Sequence, residues 1–245
     1  MTGSTVEIAA PDGLCNAYLA RPDDERNPGV LLIMDAYGLR PVIEQMAGRI
    51  ASDGYVVLAP NVFYRAGRSP VPTPPDDPEQ RSRFFKQTIR PLVEELTPAR
   101  LAADGAAYLD CLDRVGAPGA VGITGYCMGG RAGWRMAVAH QDRVAALAAF
   151  HTGGLVTDDP DSAHLSAGDL KAELYFGFAD DDPSMTAEQI AELERTLDKA
   201  DARYRSEVYQ GAKHGYTMAD LPVYDEAASE RHFSELRALL KRTIG

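Results

Sequence analysis

The chain has 245 residues, of which 45% are hydrophobic and 25% charged, and its 36 acidic residues exceed 25 basic ones to give a net charge of -11. This length predicts one large α/β domain, residues 1–245, with a core large enough to fold without disulfides. The acidic balance argues against a nucleic-acid partner and against binding to an anionic membrane surface.

The first part of the chain alternates strands with a helix. Residues 4–21 predict two strands around a turn, an antiparallel start that can form the edge of an otherwise parallel sheet. Continuous apolar runs at 29–34 and 55–60 predict strands that are buried on both faces. A helix over 41–52 connects them, and this βαβ order predicts that the two strands run parallel.

Residues 64–79 interrupt this pattern. Five prolines and several charged residues lie within the segment. One interpretation is a solvated excursion between elements, and the other is a rim or lid over a functional site. The composition is compatible with both.

The remaining chain continues the alternation to its end. Apolar periodicity predicts helices over 78–95, 98–115, 186–200 and 226–243, and strands over 120–124, 144–150, 174–178 and 204–209. No repeat or linker divides the chain. The sequence therefore predicts a mostly parallel central sheet with helices on both faces.

A nucleophile motif follows the predicted strand at 120–124. Gly125, Cys127 and Gly129 form Gly-x-Cys-x-Gly, the nucleophile elbow with sulfur in place of the usual serine oxygen. The glycines permit the sharp turn from strand to helix, and the turn places the thiol at a helix N-terminus, where the dipole stabilises a thiolate. The alternative is a buried structural cysteine in a glycine-rich turn.

Two further residues follow in the chain order nucleophile, acid, histidine that this arrangement uses. Asp180 comes after the strand at 174–178, and His214 comes after the strand at 204–209. Asp182 is the alternative acid, because a shift of two residues would exchange the two carboxylates. Each residue alone could be a surface residue, but together with the elbow they predict a catalytic Cys127, Asp180 and His214.

Other side chains near these positions complete a candidate pocket. The N–H groups of Met128 and Tyr37 are the predicted oxyanion donors. His151 follows the strand at 144–150 and either lines the site or packs in the core, and Tyr126 and Tyr216 are further pocket candidates. No histidine, cysteine or carboxylate group has metal-ligand spacing and no phosphate-binding glycine loop opens a helix, so neither a metal nor a cofactor is expected.

These motifs resemble the dienelactone hydrolase (carboxymethylenebutenolidase) family. The resemblance rests on the elbow at 125–130, the upstream segment at 34–39 and the loops of Asp180 and His214, and it extends over about residues 6–240. It implies an α/β-hydrolase fold, a triad of Cys127, Asp180 and His214, and hydrolysis of an enol-lactone through a thiol-acyl intermediate without a cofactor.

The resemblance implies two further roles. A glutamate before the oxyanion loop contacts the resting thiol in family members and promotes its ionisation, and here Asp35 stands in its place. An arginine four residues after the histidine clamps the substrate carboxylate, whereas this chain has Met218 there, so Arg81 or Arg83 would have to supply a clamp. With the acidic net charge, this favours a neutral ester, lactone or thioester over dienelactone itself.

Two other function classes remain open alongside a hydrolase of small lactones or esters. One is a thiol redox protein that uses Cys127, although no second cysteine has Cys-x-x-Cys spacing. The other is a non-catalytic binding module on a hydrolase scaffold. The lone thiols, the absence of a signal-like N-terminus and the absence of a long apolar run predict a cytoplasmic protein with no membrane partner, and a monomer is favoured.

Overall fold

The backbone is organised around one eight-stranded sheet. The computed structural model describes residues 2–22, 27–68, 71–75 and 77–245. Its strands are β1 (Thr2–Ala10), β2 (Gly13–Arg21), β3 (Gly29–Ile33), β4 (Val56–Pro60), β5 (Val121–Tyr126), β6 (Val144–Phe150), β7 (Glu173–Asp181) and β8 (Tyr204–Lys213). Their order across the sheet is β1-β2-β4-β3-β5-β6-β7-β8.

Most neighbouring strands of this sheet run parallel. β1 and β2 form an antiparallel hairpin, and β2 also runs antiparallel to β4. From β4 to β8, every neighbouring pair is parallel. The mostly parallel sheet with an antiparallel start is therefore confirmed, and the carboxyl ends of β3 and β5 to β8 meet at one edge, where α/β enzymes bind their ligands.

Helices cover both faces of the sheet. They are α1 (Pro41–Ser52), α2 (Pro78–Phe84), α3 (Arg90–Glu94), α4 (Pro98–Arg114), α5 (Met128–Ala139), α6 (Ala187–Lys199) and α7 (Glu226–Thr243). A Cβ on Gly122 of β5 would lie 2.3 Å from Leu240 of α7, whereas Ile123 lies against Gly133 of α5. Because successive strand residues point to opposite faces, α5 and α7 lie on opposite sides of the sheet.

The helix ends follow from local sequence signals, and α6 shows this most completely. Thr186 accepts a hydrogen bond from Gln189 N–H and the Gln189 side chain accepts one from Thr186 N–H, which makes a capping box. Ile190, Leu193 and Leu197 are the buried residues of this helix. The cap and the apolar stripe together fix where α6 begins and which side faces the core.

The helix predicted over 78–95 is divided in the structure. A π-helical turn, Phe85–Ile89, separates α2 from α3. Pro91 has no N–H to donate to the carbonyl of Gln87, so a regular α-helix would lose a hydrogen bond at this point. The wider turn ends two residues before that proline and buries Ile89.

The described part of the proline-rich segment is fixed to the body of the molecule. Arg65, in a 3-10 turn, forms a two-pronged ion pair with the buried carboxylate of Asp104 at 2.8 and 2.9 Å. Of the predicted excursion or lid at 64–79, residues 69, 70 and 76 lie outside the described residues. Residues 71–74 line a cavity beside the loop that follows β3, so they form a rim there.

Candidate active site

The turn between β5 and α5 has the geometry of a nucleophile elbow. Cys127 adopts φ 55° and ψ -121°, a strained backbone conformation for a residue with a side chain. A Cβ on Gly125 would lie 2.3 Å from the carbonyl oxygen of Gly129, and a Cβ on Gly129 would lie 2.4 Å from that of Ile33. Backbone atoms occupy both spaces, so only glycine fits at either position.

His214 lies beside a buried carboxylate at the end of β7. Its Nδ1 is 2.6 Å from Oδ2 of Asp182, whose side chain is only 2% exposed. The other carboxylate oxygen of Asp182 accepts hydrogen bonds from the N–H of Ser184 at 2.9 Å and from its hydroxyl at 2.6 Å. These bonds hold the carboxylate against the histidine, and Ser184 is a supporting residue that the sequence analysis missed.

The prediction of Asp180 as the acid is wrong, and the alternative, Asp182, takes the position beside His214. β7 continues through Asp181, which is paired with Lys213, instead of ending near residue 178. Asp180 is therefore still within the strand, exposed, and accepts a hydrogen bond from the N–H of Gly211. The loop that turns back toward the histidine begins only at Asp182.

The electrostatics of the histidine depend on its two neighbours. Burial lowers the pKa of His214, but the negative charge of Cys127 and hydrogen bonds to Asp182 and Cys127 outweigh it and raise that pKa to about 11. Burial raises the pKa of Asp182, but its bond to His214 leaves the net shift downward. The arrangement therefore favours a protonated His214 beside the Asp182 carboxylate.

A cavity of about 200 Å³ opens above the thiol. We call it the nucleophile cavity, and it is lined by Asp35, Ala36, Tyr37, Arg81, Phe85, Cys127, His151, His214, Gly215, Leu221, Pro222 and Val223. The structure thus brings the thiol and the imidazole to one space at the carboxyl edge of the sheet. Phe85 and the apolar residues after Gly215 had no motif that could have identified them.

The candidate pocket residues divide into two groups. His151 and Arg81 line the nucleophile cavity, whereas Arg83 is exposed on α2 and is not among its lining residues. Tyr126 and Tyr216 are fully buried in the core, so their predicted pocket role is wrong. Both are adjacent or nearly adjacent in sequence to site residues, but neither is among the lining residues of the cavity.

The two buried tyrosines have partners inside the core. The hydroxyl of Tyr126 accepts a hydrogen bond from Thr124 and lies 3.2 Å from a ring nitrogen of His232. The hydroxyl of Tyr216 donates to the carbonyl of Gly177 at 3.1 Å. These bonds satisfy polar groups that would otherwise be costly to bury.

His151 lines the nucleophile cavity beside the imidazole of His214. Its ring centroid lies 5.2 Å from that of His214, and its Nε2 lies 2.7 Å from the hydroxyl of Thr217. Burial, together with the positive charge of His214, holds the pKa of His151 well below 6.5. His151 is therefore a neutral histidine, and His214 is the member of this pair that the site favours in its protonated form.

The carboxylate of Asp35 is bound by an arginine and not by the thiol. Arg40 donates to both of its oxygens, at 2.5 and 3.0 Å, and the N–H of Tyr37 donates to one of them at 3.1 Å. Burial raises the pKa of Asp35 against the effect of Arg40. The predicted contact between Asp35 and the Cys127 thiol is replaced by this ion pair.

The same hydrogen bond corrects the predicted oxyanion donors. The N–H of Tyr37 already donates to Asp35, so it is not available to a substrate oxygen. The N–H of the preceding residue, Ala36, has no acceptor in the described part of the chain, and Ala36 lines the nucleophile cavity. The N–H of Met128, the first residue of α5, likewise lacks an acceptor among those residues.

Two kinds of feature are absent from the residues that the structure describes. No group of three or more histidines, cysteines or carboxylates is placed to hold a metal ion. No helix is long and apolar enough to cross a membrane. Met218, at the position of the arginine that the family resemblance implied, is fully buried.

Comparisons with known proteins agree with this geometry. Residues 15–244 match the dienelactone hydrolase family. An Escherichia coli K12 protein named "putative carboxymethylenebutenolidase" is 27% identical over 235 residues, which is 94% of this chain and 83% of that protein. A Klebsiella pneumoniae structure described as a "putative dienelactone hydrolase" superposes with a TM-score of 0.85 at 23% identity, covering 98% of both chains.

A second solved structure has the same fold at similar coverage. It is the dienelactone hydrolase-like promiscuous phosphotriesterase P91 from metagenomic libraries, with a TM-score of 0.80, 21% identity, and coverage of 100% of this chain and 99% of that one. At this identity the likeness establishes the fold and not the substrate.

Proposed function

Because this chain belongs to the dienelactone hydrolase family, we propose that it is a cysteine-dependent hydrolase of carboxylic esters or lactones. Cys127 is the nucleophile, His214 is the general acid and base, and Asp182 orients the imidazole. The observation that carries this proposal is the 2.6 Å bond between His214 and a buried carboxylate, beside a strained cysteine at the floor of a cavity.

The resting state is an ion pair of a Cys127 thiolate and a His214 imidazolium. Its support is the position of His214, whose imidazole is bonded at 2.6 Å to the buried carboxylate of Asp182 and lines the same cavity as the thiol. The N-terminal end of α5 adds a favourable dipole at the sulfur. The thiol then needs no separate base before it attacks, so Asp35 is free to hold Arg40 instead.

The reaction has two steps. The thiolate attacks the carbonyl carbon and forms a C–S bond, and the N–H groups of Met128 and Ala36 stabilise the negative oxygen. The C–O bond to the leaving alcohol breaks as His214 gives its proton to that oxygen. His214 then takes a proton from water, the water attacks the thioester, and the carboxylic acid leaves as the thiolate is restored.

The cavity lining favours a substrate without a full negative charge. Phe85, Leu221, Pro222 and Val223 give it an apolar side. The charge of Arg40 is already offset by Asp35, and Met218 is buried where a clamp arginine would stand. Arg81 is a cation in this lining, but its Nε donates to the carbonyl of Pro75. We take the apolar side as the stronger determinant, so neutral esters, lactones and thioesters fit the site better than a dicarboxylate does.

The alternatives of a redox protein and a binding module are less well supported. Cys15 and Cys111 are both buried, and burial raises the pKa of each, that of Cys15 to about 12. Neither is a ready partner for a disulfide with Cys127. A binding module would need neither the strained elbow nor the buried acid beside His214, since both carry a cost in stability.

The test is hydrolysis of p-nitrophenyl acetate by the purified Cys127→Ala variant. We expect kcat/KM to fall by at least about 10³-fold, because the enzyme loses its only nucleophile. Cys111→Ala, which removes a thiol remote from the cavity, is the matched control and should stay within about twofold of the parent. Undiminished hydrolysis by Cys127→Ala would exclude the proposed function.

A further inference from the structure

A second cavity of about 270 Å³ adjoins the nucleophile cavity. We call it the side cavity, and it shares Tyr37, Arg81, Leu221 and Pro222 with the first. Neither Cys127 nor His214 lines it. It is therefore an extension of the site away from the reacting atoms, and the catalytic residues do not explain it.

Four separate parts of the chain build the side cavity. They are residues 37–41 after β3, residues 71–74 of the proline-rich segment, Arg81 of α2, and residues 220–222 after β8. Arg40 joins the first and the last of these, because it donates to Asp220 at 2.6 Å while it holds Asp35. Val71 packs against the loop at Gly38, since a Cβ there would lie 3.6 Å from the valine side chain.

The walls of the side cavity are mainly apolar. Leu39, Pro41, Val71, Pro72, Pro74 and Leu221 face it. Prolines and β-branched residues lose little conformational entropy when a ligand binds against them, so such a wall is preorganised. This composition is suited to hydrocarbon chains or rings.

Charge on the wall further restricts the ligand. Arg40 lies between two carboxylates, Asp35 and Asp220, so its charge is already paired. Arg81, the second arginine of the lining, donates through Nε to the carbonyl of Pro75. An anionic group would have to compete with these partners for either arginine. An uncharged, apolar group has no such conflict.

We propose that the two cavities bind two parts of one substrate, an elongated and largely apolar ester or lactone. The reacting carbonyl lies in the nucleophile cavity, and a hydrocarbon chain or ring passes Tyr37 and fills the side cavity. This inference rests on the proposed function and adds the substrate class. It also gives the proline-rich segment a role as the wall that selects for apolar length.

The experiment measures kcat/KM for two series of uncharged esters. One is p-nitrophenyl esters from acetate to octanoate, and the other is acetate esters of alcohols from methanol to octanol. In one of the series, each methylene that enters the side cavity should raise kcat/KM by about threefold to fourfold until the space is filled.

Filling the side cavity should remove this gain without affecting the chemistry. Val71→Trp should lower kcat/KM for the longest ester of the length-responsive series by at least about tenfold. It should leave methyl acetate, which has no chain long enough to reach the side cavity, within about twofold. Leu165→Trp, at an exposed apolar residue outside both cavities, is the matched control. If Val71→Trp unfolds, Val71→Asp tests the same wall with a charge and should also penalise only the long substrates.

The outcomes separate this inference from the proposed function. No gain with length in either series would overturn the side-cavity proposal. An equal loss on methyl acetate and on the long substrates in both Val71 variants would also overturn it. In either case, hydrolysis of p-nitrophenyl acetate by the parent protein would still support the proposed function. If the parent protein fails to hydrolyse acetate and every longer ester, the proposed function itself fails.

Discussion

Replacing the carboxylate of Asp182, just after β7, with an amide is the sharpest test of the site geometry. Asp182→Asn keeps the shape of the side chain but removes its charge. Ser184 donates two hydrogen bonds to one oxygen of the carboxylate, so the asparagine oxygen should stay there and its NH₂ should face His214. Nδ1 of His214 must then accept a hydrogen bond, which leaves the proton on Nε2 and blocks its use as a base.

The size of the effect follows from the bond that is lost. The His214–Asp182 contact is short, at 2.6 Å, and its carboxylate is almost fully buried. A charge-assisted hydrogen bond of this kind contributes about 1.5–3 kcal/mol. We therefore expect kcat/KM for p-nitrophenyl acetate to fall by about 10- to 150-fold.

The matched control is Asp180→Asn, which removes the same charge two residues earlier. Asp180 is exposed and accepts one hydrogen bond from Gly211, so its loss should change kcat/KM by less than about twofold. Both variants should be compared by circular dichroism and by steady-state hydrolysis across pH. Equal losses in the two variants, or a larger loss in Asp180→Asn, would refute the assignment of Asp182.

Three further predictions test the thiol, the elbow and the buried histidine. Iodoacetamide at pH 6–7 should label Cys127 at least about tenfold faster than Cys15, because burial raises the pKa of Cys15 to about 12. Peptide mass spectrometry measures the two rates, and equal labelling would contradict the prediction. Gly129→Ala should cost about 3 kcal/mol or more and lower Tm by about 6–12 °C, since its Cβ would meet the backbone at 2.4 Å, whereas Gly168→Ala, with no atom within 4 Å, should melt like the parent protein. The pKa of His232 is lowered to about 3 by burial, so its contribution to stability is present above the unfolded value of about 6.5 and is lost as pH falls toward 3. Because the pKa of His151 is also lowered and that of His214 is raised, urea unfolding of the parent protein is compared with that of His232→Gln. Between pH 7 and 5 the parent should lose about 2 kcal/mol more than the variant, and equal losses would count against a neutral buried His232.

The parts of the fold and site that could be predicted are those with local signals. The apolar runs of β3 to β6 have lengths and boundaries that mark them as buried strands. The elbow follows from the glycine spacing, because only a sharp turn requires glycine at both Gly125 and Gly129. His214 could be found because it follows a strand in the correct chain order.

The errors concern features that depend on the tertiary structure. Where β7 ends is decided by its pairing with β8, which extends it through Asp181, and no local pattern distinguishes Asp180 from Asp182. The pairing of Asp35 with Arg40 depends on how the loop after β3 folds back. Because the Asp35 carboxylate also accepts a hydrogen bond from Tyr37 N–H, the position of this one side chain changes two predicted roles.

The side cavity could not be foreseen for a similar reason. Its walls come from four parts of the chain that meet only in the folded protein. The composition of residues 64–79 raised the alternative of a rim over the site, but not which apolar side chains would face it.

The central claim is that Cys127 carries the acyl group during turnover. Rapid acid quenching with p-nitrophenyl acetate, followed by digestion and mass spectrometry, measures this directly. We predict one acetyl group on the peptide that contains Cys127, no such adduct in Cys127→Ala, and no turnover by that variant. Turnover of the parent protein with an unmodified Cys127, or with the acetyl group on another residue, would contradict the account.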